Sequence, residues 1–504
     1  MSEAGATTSA RSDSGRVDVS LLSHTNVGKT TLARTLLRQD IGEVGDRAHV
    51  TEIAESHLLI ESPEGDSLVL WDTPGFGDST RVLKRLQHSD HPVGWFLSQL
   101  WDRFADRPFW CSQQAMRTAR DSTDIILYVV NAGEQPASAG YVDAEMRILG
   151  WIGKPVVLLL NQLGPPREAS QGQADVTLWL NWLARYPWVE QVLPFDAFAR
   201  CWVQEGTLLT HIHTLLPATR QGAFGRLREA WRERNLEVFR QSMLALAEQI
   251  AAAAVDTEPV EQLDMQGKAR AWLGAVTGGV VREDPRLTAA QGALAERLDR
   301  RVRATTEELV RLHGLTGKAA DEVLKRMGRE FAVDRPADVD KASVLGGLLS
   351  GALGGLAADL GAGGLTFGAG AIIGGVLGAF GARGLAKAYN LARGAHTASV
   401  RWSADFLFER VAAALARYLA VAHFGRGRGE FVASSAPVHW QQAVVDALRR
   451  RRSELDSVLS VRSDASSGAR PGAATVTAAV LPLLAASTRD VLISLYPDSS
   501  DVFR

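Results

Sequence analysis

Apolar and polar positions along this chain follow two different periods. From Val17 to about Leu216, short β-type runs alternate with stretches of helical spacing, and the runs fall at Val17–Leu22, His57–Glu61, Leu68–Trp71, Ile125–Asn131, Val156–Asn161 and Val192–Phe195. Ile125–Val130 and Val156–Leu160 are apolar throughout, as strands buried on both faces must be. Alternation of strand and helix predicts an α/β domain, a mostly parallel sheet with helices on both faces. Beyond Pro217 the strand signals nearly vanish. Helical spacing is expected over Arg226–Ala254, Pro285–Phe331, Ala398–His423, Trp440–Val461 and Val476–Tyr496. The organisation is therefore a disordered lead-in at 1–16, an α/β domain at 17–217 and an all-α domain at 218–504.

Two segments depart from these periods. Residues 79–122 are longer than a single connecting helix and carry Trp95, Phe96, Leu97, Leu100, Trp101, Phe104 and Trp110, partly at helical spacing. Such a stripe is expected to pack against an adjacent domain; as a transmitter between domains it would be uncoupled by Trp101→Ala. Val344–Gly381 holds one charged residue, Asp359, and places small residues at every fourth position: Gly347, Gly351 and Gly355, then Gly370, Gly374 and Gly378. Small residues at that spacing let helices approach closely. Each apolar half is short against the roughly 20 residues that span a bilayer. An apolar hairpin at 344–382 that meets lipid, flanked by Lys341, Arg383, Lys387 and Arg393, and a buried hairpin in a helical bundle are both compatible with this pattern.

Composition narrows the classes. With 504 residues the chain exceeds one compact core. A net charge of -2 argues against a general polyanion binder, and the Arg449–Arg452 run has no interleaved aromatics. Two cysteines, Cys111 and Cys201, have no metal-ligand spacing, and Met1–Arg16 has no apolar core, so a cytoplasmic start is expected.

The chemistry concentrates at Ser23-His24-Thr25-Asn26-Val27-Gly28-Lys29-Thr30, which follows the first strand and opens the helical run Thr31–Leu37. Strand, tight turn and helix N-terminus aim successive backbone N–H groups at phosphates; Lys29 reaches the β and γ phosphates and Thr30 offers a hydroxyl to magnesium. The usual first glycine of this motif is Ser23 here. After the strand Leu68–Trp71 comes Asp72-Thr73-Pro74-Gly75: a carboxylate at a strand end supports a magnesium shell, and glycine lets its N–H approach a γ phosphate. In the polar stretch Gly42–Thr51, Thr51 is the candidate switch hydroxyl for magnesium, with Thr25 and Ser56 as alternatives. Candidate nucleotide-binding residues are thus 23–31, with Thr31 the second residue of the helix, and 72–75. Lys29, Thr51 and Gly75 are the candidate catalytic positions, and Thr30, Thr51 and Asp72 the magnesium set.

With these motifs in view, His24–Leu32 and Trp71–Phe76 resemble translation-factor-class P-loop GTPases of the Era and TrmE group. More narrowly, the layout resembles an uncharacterised bacterial family that places this domain before a helical half with a Gly/Ala-rich apolar segment. The resemblance implies GTP and Mg2+, and Asn26 sits where potassium-stimulated members carry a cation-binding Asn. Phe76 occupies the place of the water-orienting Gln of Ras-like proteins, which implies slow unaided hydrolysis. In place of the base-reading Asn-Lys-x-Asp stands Asn161-Gln162-Leu163-Gly164, which keeps only the first residue; Asp196 and Ala197, in the position of a Ser-Ala element, are the further candidates for the base.

The resemblance implies a nucleotide switch with slow GTP hydrolysis that repositions its helical half, at the cytoplasmic face of the membrane if 344–382 meets lipid. Self-association through the GTPase domain is a further implied partner. The alternatives are an RNA- or ribosome-associated assembly factor and a dynamin-like membrane-remodelling GTPase. No RNA-binding module is recognisable in the sequence, since Gly314-Leu315-Thr316-Gly317 lacks the strands of the module whose loop it imitates.

Overall fold

A computed structural model of the chain describes residues 15–38, 53–88, 90–99, 106–163, 169–197, 200–260, 285–315, 398–424, 438–460 and 471–504. Thr51, Trp101, Phe104, Gly164, Gly317 and the segment 344–382 lie outside the described residues, as does most of 1–16. The chain divides into two compact units. Among the described residues, the first runs to Leu236 and adds His423, Phe424 and Tyr496–Arg504; the second takes Glu237–Ala422 and the part of Val432–Leu495 that is described.

In the first unit, β1 (Arg16–Leu22) leads into α1 (Lys29–Leu37), followed by β2 (Glu55–Glu61), β3 (Ser67–Asp72), α2 (Ser79–Leu86), α3 (Pro92–Ser98) and α4 (Arg107–Asp121). β4 (Ile125–Asn131), α5 (Gly140–Ile152), β5 (Val156–Asn161), α6 (Ala169–Leu183), β6 (Val189–Pro194) and α7 (Trp202–Leu215) complete the alternation. The sheet order is β2-β3-β1-β4-β5-β6, parallel except for β2, which pairs antiparallel with β3. β1 lies between β3 and β4, so the strand order reverses beside it, at the carboxyl ends where open α/β sheets place their ligands. The register Leu21↔Asp72 brings the ends of β1 and β3 level there. The apolar runs of β4 and β5 are buried throughout, as their sequence requires.

The Trp-rich insertion forms α2, α3 and α4. Phe96, Leu97 and Phe109 are buried in the core of this unit with Met146 and Leu149 of α5, and Trp95 packs partly buried against the same core. The expected packing against an adjacent domain is thus corrected for the described side chains Trp95, Phe96 and Phe109, which serve the core of their own unit because the helices that carry them lie against α5.

α8 (Ala218–Val255) contributes to both units. In the second unit, β7 (Thr257–Val260) pairs antiparallel with β8 (Ala398–Arg401); α9 (Pro285–Leu312), α10 (Ala404–Ala422), α11 (Val438–Arg449), α12 (Arg452–Ser460) and α13 (Ala473–Leu495) follow the expected helical spacing. Two expectations need correction. The stretch Ala398–His423 begins as a strand, because Ala398–Arg401 finds a partner far away in sequence that no local period reveals. Trp440–Val461 is two helices, broken at Arg450 and Arg451. α13 is long and apolar enough to cross a membrane by length and composition, while Val480, Leu484, Val491 and Leu492 are buried on one side of it.

Candidate functional site

Gly28 takes φ +93°, a conformation that lets β1 turn tightly into α1 and that a residue with a Cβ rarely adopts. A Cβ there would also meet Asn161 Nδ2 at 2.8 Å. Asn26 is likewise left-handed, at φ 65°, which Asn tolerates better than other residues, and it is exposed. Helical hydrogen bonding starts at Lys29, two residues before the apolar run suggests, because polar first-turn residues carry no periodic signal.

Lys29 is buried, and its ammonium donates to Ser23 Oγ at 2.9 Å and to the His24 carbonyl at 3.5 Å. Ser23, the departure from the usual glycine, is fully buried and supplies the hydroxyl that holds the lysine. Burial lowers the Lys29 pKa from its ordinary value, opposed by the negative charges of Asp72 and Glu145.

Opposite, Thr30 Oγ1 donates to Asp72 Oδ2 at 2.7 Å. Burial raises the Asp72 pKa, countered by this hydrogen bond and by Lys29. Asp72 Oδ1 is buried with no hydrogen-bond partner. A hydroxyl beside a carboxylate whose second oxygen is orphaned fits a hard divalent cation, so these two residues suit magnesium. Thr73 donates to the Leu21 carbonyl at 2.6 Å and pins the next turn to β1. At Gly75, reached through Pro74, an added Cβ would lie 3.0 Å from both Lys29 Nζ and Thr25 Cα, tighter than ordinary contact, so glycine eases this approach to the phosphate loop. Phe76 is fully buried and its N–H donates to the Ser23 carbonyl at 2.9 Å, which removes its ring from any role toward water.

The base side is tied to the same loop. Asn161 Nδ2 donates to the Val27 carbonyl at 2.8 Å, and Asn161 Oδ1 accepts from the Ala197 N–H at 2.8 Å. Asp196 is buried and accepts from the Leu163 N–H at 2.6 Å; Gln162, between them, adopts φ 58°. Thr31 is buried, and its carbonyl accepts from Thr35 Oγ1, which also reaches the Ala197 carbonyl at 2.9 Å. The fold therefore gathers residues 23–31, 72–75, 161–162 and 196–197 at one end of the sheet. Ser56, an alternative magnesium hydroxyl, is exposed on β2 opposite Trp71.

Sequence reasoning missed Glu145. It is fully buried beneath the loop, with Oε1 2.7 Å from His24 Nδ1 and bonded to Ser79 Oγ, and with Oε2 accepting from Tyr128 at 2.6 Å. A signal existed: Glu145 lies three residues after Val142 and four before Leu149, on the apolar stripe of its helix.

A family model described as a domain of unknown function (DUF3482) matches residues 183–478, and one described as a 50S ribosome-binding GTPase matches residues 18–162. No curated protein matches. Among solved structures, an Era variant from Aquifex aeolicus bound to GDP and AlF4- is 18% identical, with 40% of this chain and 57% of that chain covered and a TM-score of 0.30. Era in complex with MgGDPNP and a 16S ribosomal RNA segment gives the same values. The FeoB G-domain from Methanococcus jannaschii is 15% identical, with 36% and 85% covered and a TM-score of 0.20. This chain spans only 57% of the length of the Era chains it matches. The chain belongs to the DUF3482 family, carrying a P-loop GTPase domain ahead of its largely helical half.

Proposed function

We propose that this chain is a magnesium-dependent GTP switch whose N-terminal domain hydrolyses GTP slowly and repositions the helical half. The observation that carries the reading is the meeting of Lys29, Thr30, Asp72 and Gly75 at the strand ends, within the region matched by the GTPase model. Lys29 would neutralise β- and γ-phosphate oxygens, and the backbone N–H groups at the start of α1 would add partial positive charge. Thr30 and Asp72 would hold magnesium, which when bound supplies Lewis-acid charge to the phosphates. Gly75 would present its N–H to the γ phosphate. Water would attack the phosphorus in line as the bond to the β-phosphate oxygen breaks, its proton passing to a γ-phosphate oxygen. With Phe76 buried, we assign no side chain as general base, hence the slow rate. Asn26 is our candidate ligand for a stimulating potassium ion, and Asp196, held beside Leu163, our candidate carboxylate for the base edge.

The test is binding and turnover of GTP against ATP, in potassium and in sodium buffer, for wild type and Lys29→Ala. We expect GTP turnover that Lys29→Ala reduces by about 100-fold or more. Equal use of ATP would reject guanine selection, equal rates in the two salts would reject the Asn26 role, and absence of nucleotide binding would reject the switch. The description of the 18–162 match supports a second reading, association with the ribosome or its RNA; salt-sensitive RNA co-purification would favour it. Sedimentation with anionic vesicles in the GTP and GDP states separates a lipid-facing segment 344–382 from a buried one.

A further inference from the structure

The buried Glu145 carboxylate joins two parts of the site, the phosphate loop and the segment after Asp72. His24 belongs to the phosphate loop, and Ser79 is the first residue of α2, four residues beyond Gly75 in the segment that follows Asp72. Both bond to the same oxygen, Glu145 Oε1, and Ser79 Oγ also lies 3.4 Å from His24 Nδ1. Tyr128 of β4 holds the other oxygen at 2.6 Å. The His24 ring stacks on Tyr141, at 4.4 Å between centroids and 22° between planes, and Tyr141 in turn donates to Glu134 at 3.0 Å. The intervening segment is gripped from its other side: Gly77 N–H donates to Ser112 Oγ of α4 at 3.2 Å, and a Cβ on Gly77 would clash with Pro108 at 2.6 Å.

A fully buried carboxylate with three donors resists losing one, because the remaining charge is then less well compensated in a medium that solvates it poorly. We propose that Glu145 is a positioning residue that locks His24 and Ser79 into one unit, so that the Gly75 segment is preset against the γ phosphate and its release after hydrolysis requires breaking the Ser79 contact. The inference rests on the GTPase reading and deepens it: the switch is set by a tether from α5, in place of a water-orienting side chain.

The experiment is a double-mutant cycle of His24→Phe, which keeps the stacking on Tyr141 and removes the hydrogen bond, with Ser79→Ala. Single-turnover GTP hydrolysis, Kd for GTP and for GDP, and melting temperature are measured on the full chain. We expect each single variant to slow hydrolysis by about tenfold or more, since small displacements at a reacting centre are costly. In Ser79→Ala, GDP affinity should stay within about threefold, while the preference for GTP over GDP falls by about three- to tenfold. The double variant should be little slower than either single one, because both break the same unit. Glu145→Gln, which keeps the acceptor oxygen for both partners, should recover most of the rate lost in Glu145→Ala. Effects that multiply in the cycle, or an unchanged GTP over GDP preference, would overturn the proposal; so would losses that track melting temperature alone. If Ser79→Ala fails to fold, the Gln and Ala pair at 145 decides by the same readouts. A wild type that binds no GTP overturns the switch reading and this inference together, whereas active, Lys29-dependent wild type with Ser79→Ala unchanged overturns this inference alone.

Discussion

Buried charge is put to different use in the two units. In the nucleotide domain Lys29, Asp72 and Glu145 come from α1, β3 and α5 and converge at one end of the sheet. In the helical unit Arg410 and Arg417 lie on the single helix α10, and the Arg417 guanidinium donates to Gln249 Oε1 on α8 at 2.9 Å and to the Val302 carbonyl on α9 at 3.2 Å, with Thr306 Oγ1 at 3.4 Å. Burial and the neighbouring Arg410 charge pull the Arg417 pKa down to about 9. The first arrangement brings a cation and two carboxylates from three elements together at the strand ends. The second gives the Arg417 Nη1 neutral acceptors on two other helices and so ties three helices together. A buried charge is therefore evidence of chemistry only when other charges converge on it.

The comparison breaks most directly at Arg417. Arg417→Ala removes these hydrogen bonds and leaves a cavity, and should destabilise the helical unit by about 2–5 kcal/mol in urea unfolding. Arg417→Met, which fills the volume without a charge, should recover most of that loss; an equal loss would show that the hydrogen bonds, and not the packing, tie the helices together. Asn161→Ala cuts the links to Val27 and Ala197, and should weaken nucleotide binding by about 1–3 kcal/mol while leaving the helical unit's unfolding midpoint in place.

The smallest effect sharpens the contrast by pH. Burial, opposed by Arg410, pushes the half-buried Glu409 carboxyl up to about 7 from its ordinary 4.5. The folded state then holds a proton that the unfolded state has released, so this stabilisation is full below pH 4.5 and is lost as pH rises through 7. The melting temperature of the helical unit should fall by a few degrees or less between pH 5 and pH 8, and Glu409→Gln should flatten that slope. An unchanged slope would remove Glu409 as its source.

How much was legible follows from the range of each interaction. β4 and β5 read directly from sequence because a doubly covered strand must be apolar at every position, whereas β8 did not, since four residues of Ala398–Arg401 carry no period and depend on Thr257–Val260 for their hydrogen bonds. In the site, the Gly28-Lys29-Thr30 run was plain, and Ser23 looked like a defect until the fold set its hydroxyl against Lys29. Asn161 was retained in a motif otherwise lost, and the structure shows it tying the phosphate loop to the loop after β6.

By itself the sequence determined the phosphate loop, the acidic strand end at Asp72 and the split between alternating and helical halves, because each depends on steric and hydrogen-bonding preferences within a few consecutive residues. Only the tertiary structure decided that Thr30 meets Asp72, that Asn161 meets Val27, and that Glu145 gathers His24, Ser79 and Tyr128. Those partners are far apart along the chain. Their meeting is set by how the sheet orders its strands and how closely the helices pack on it.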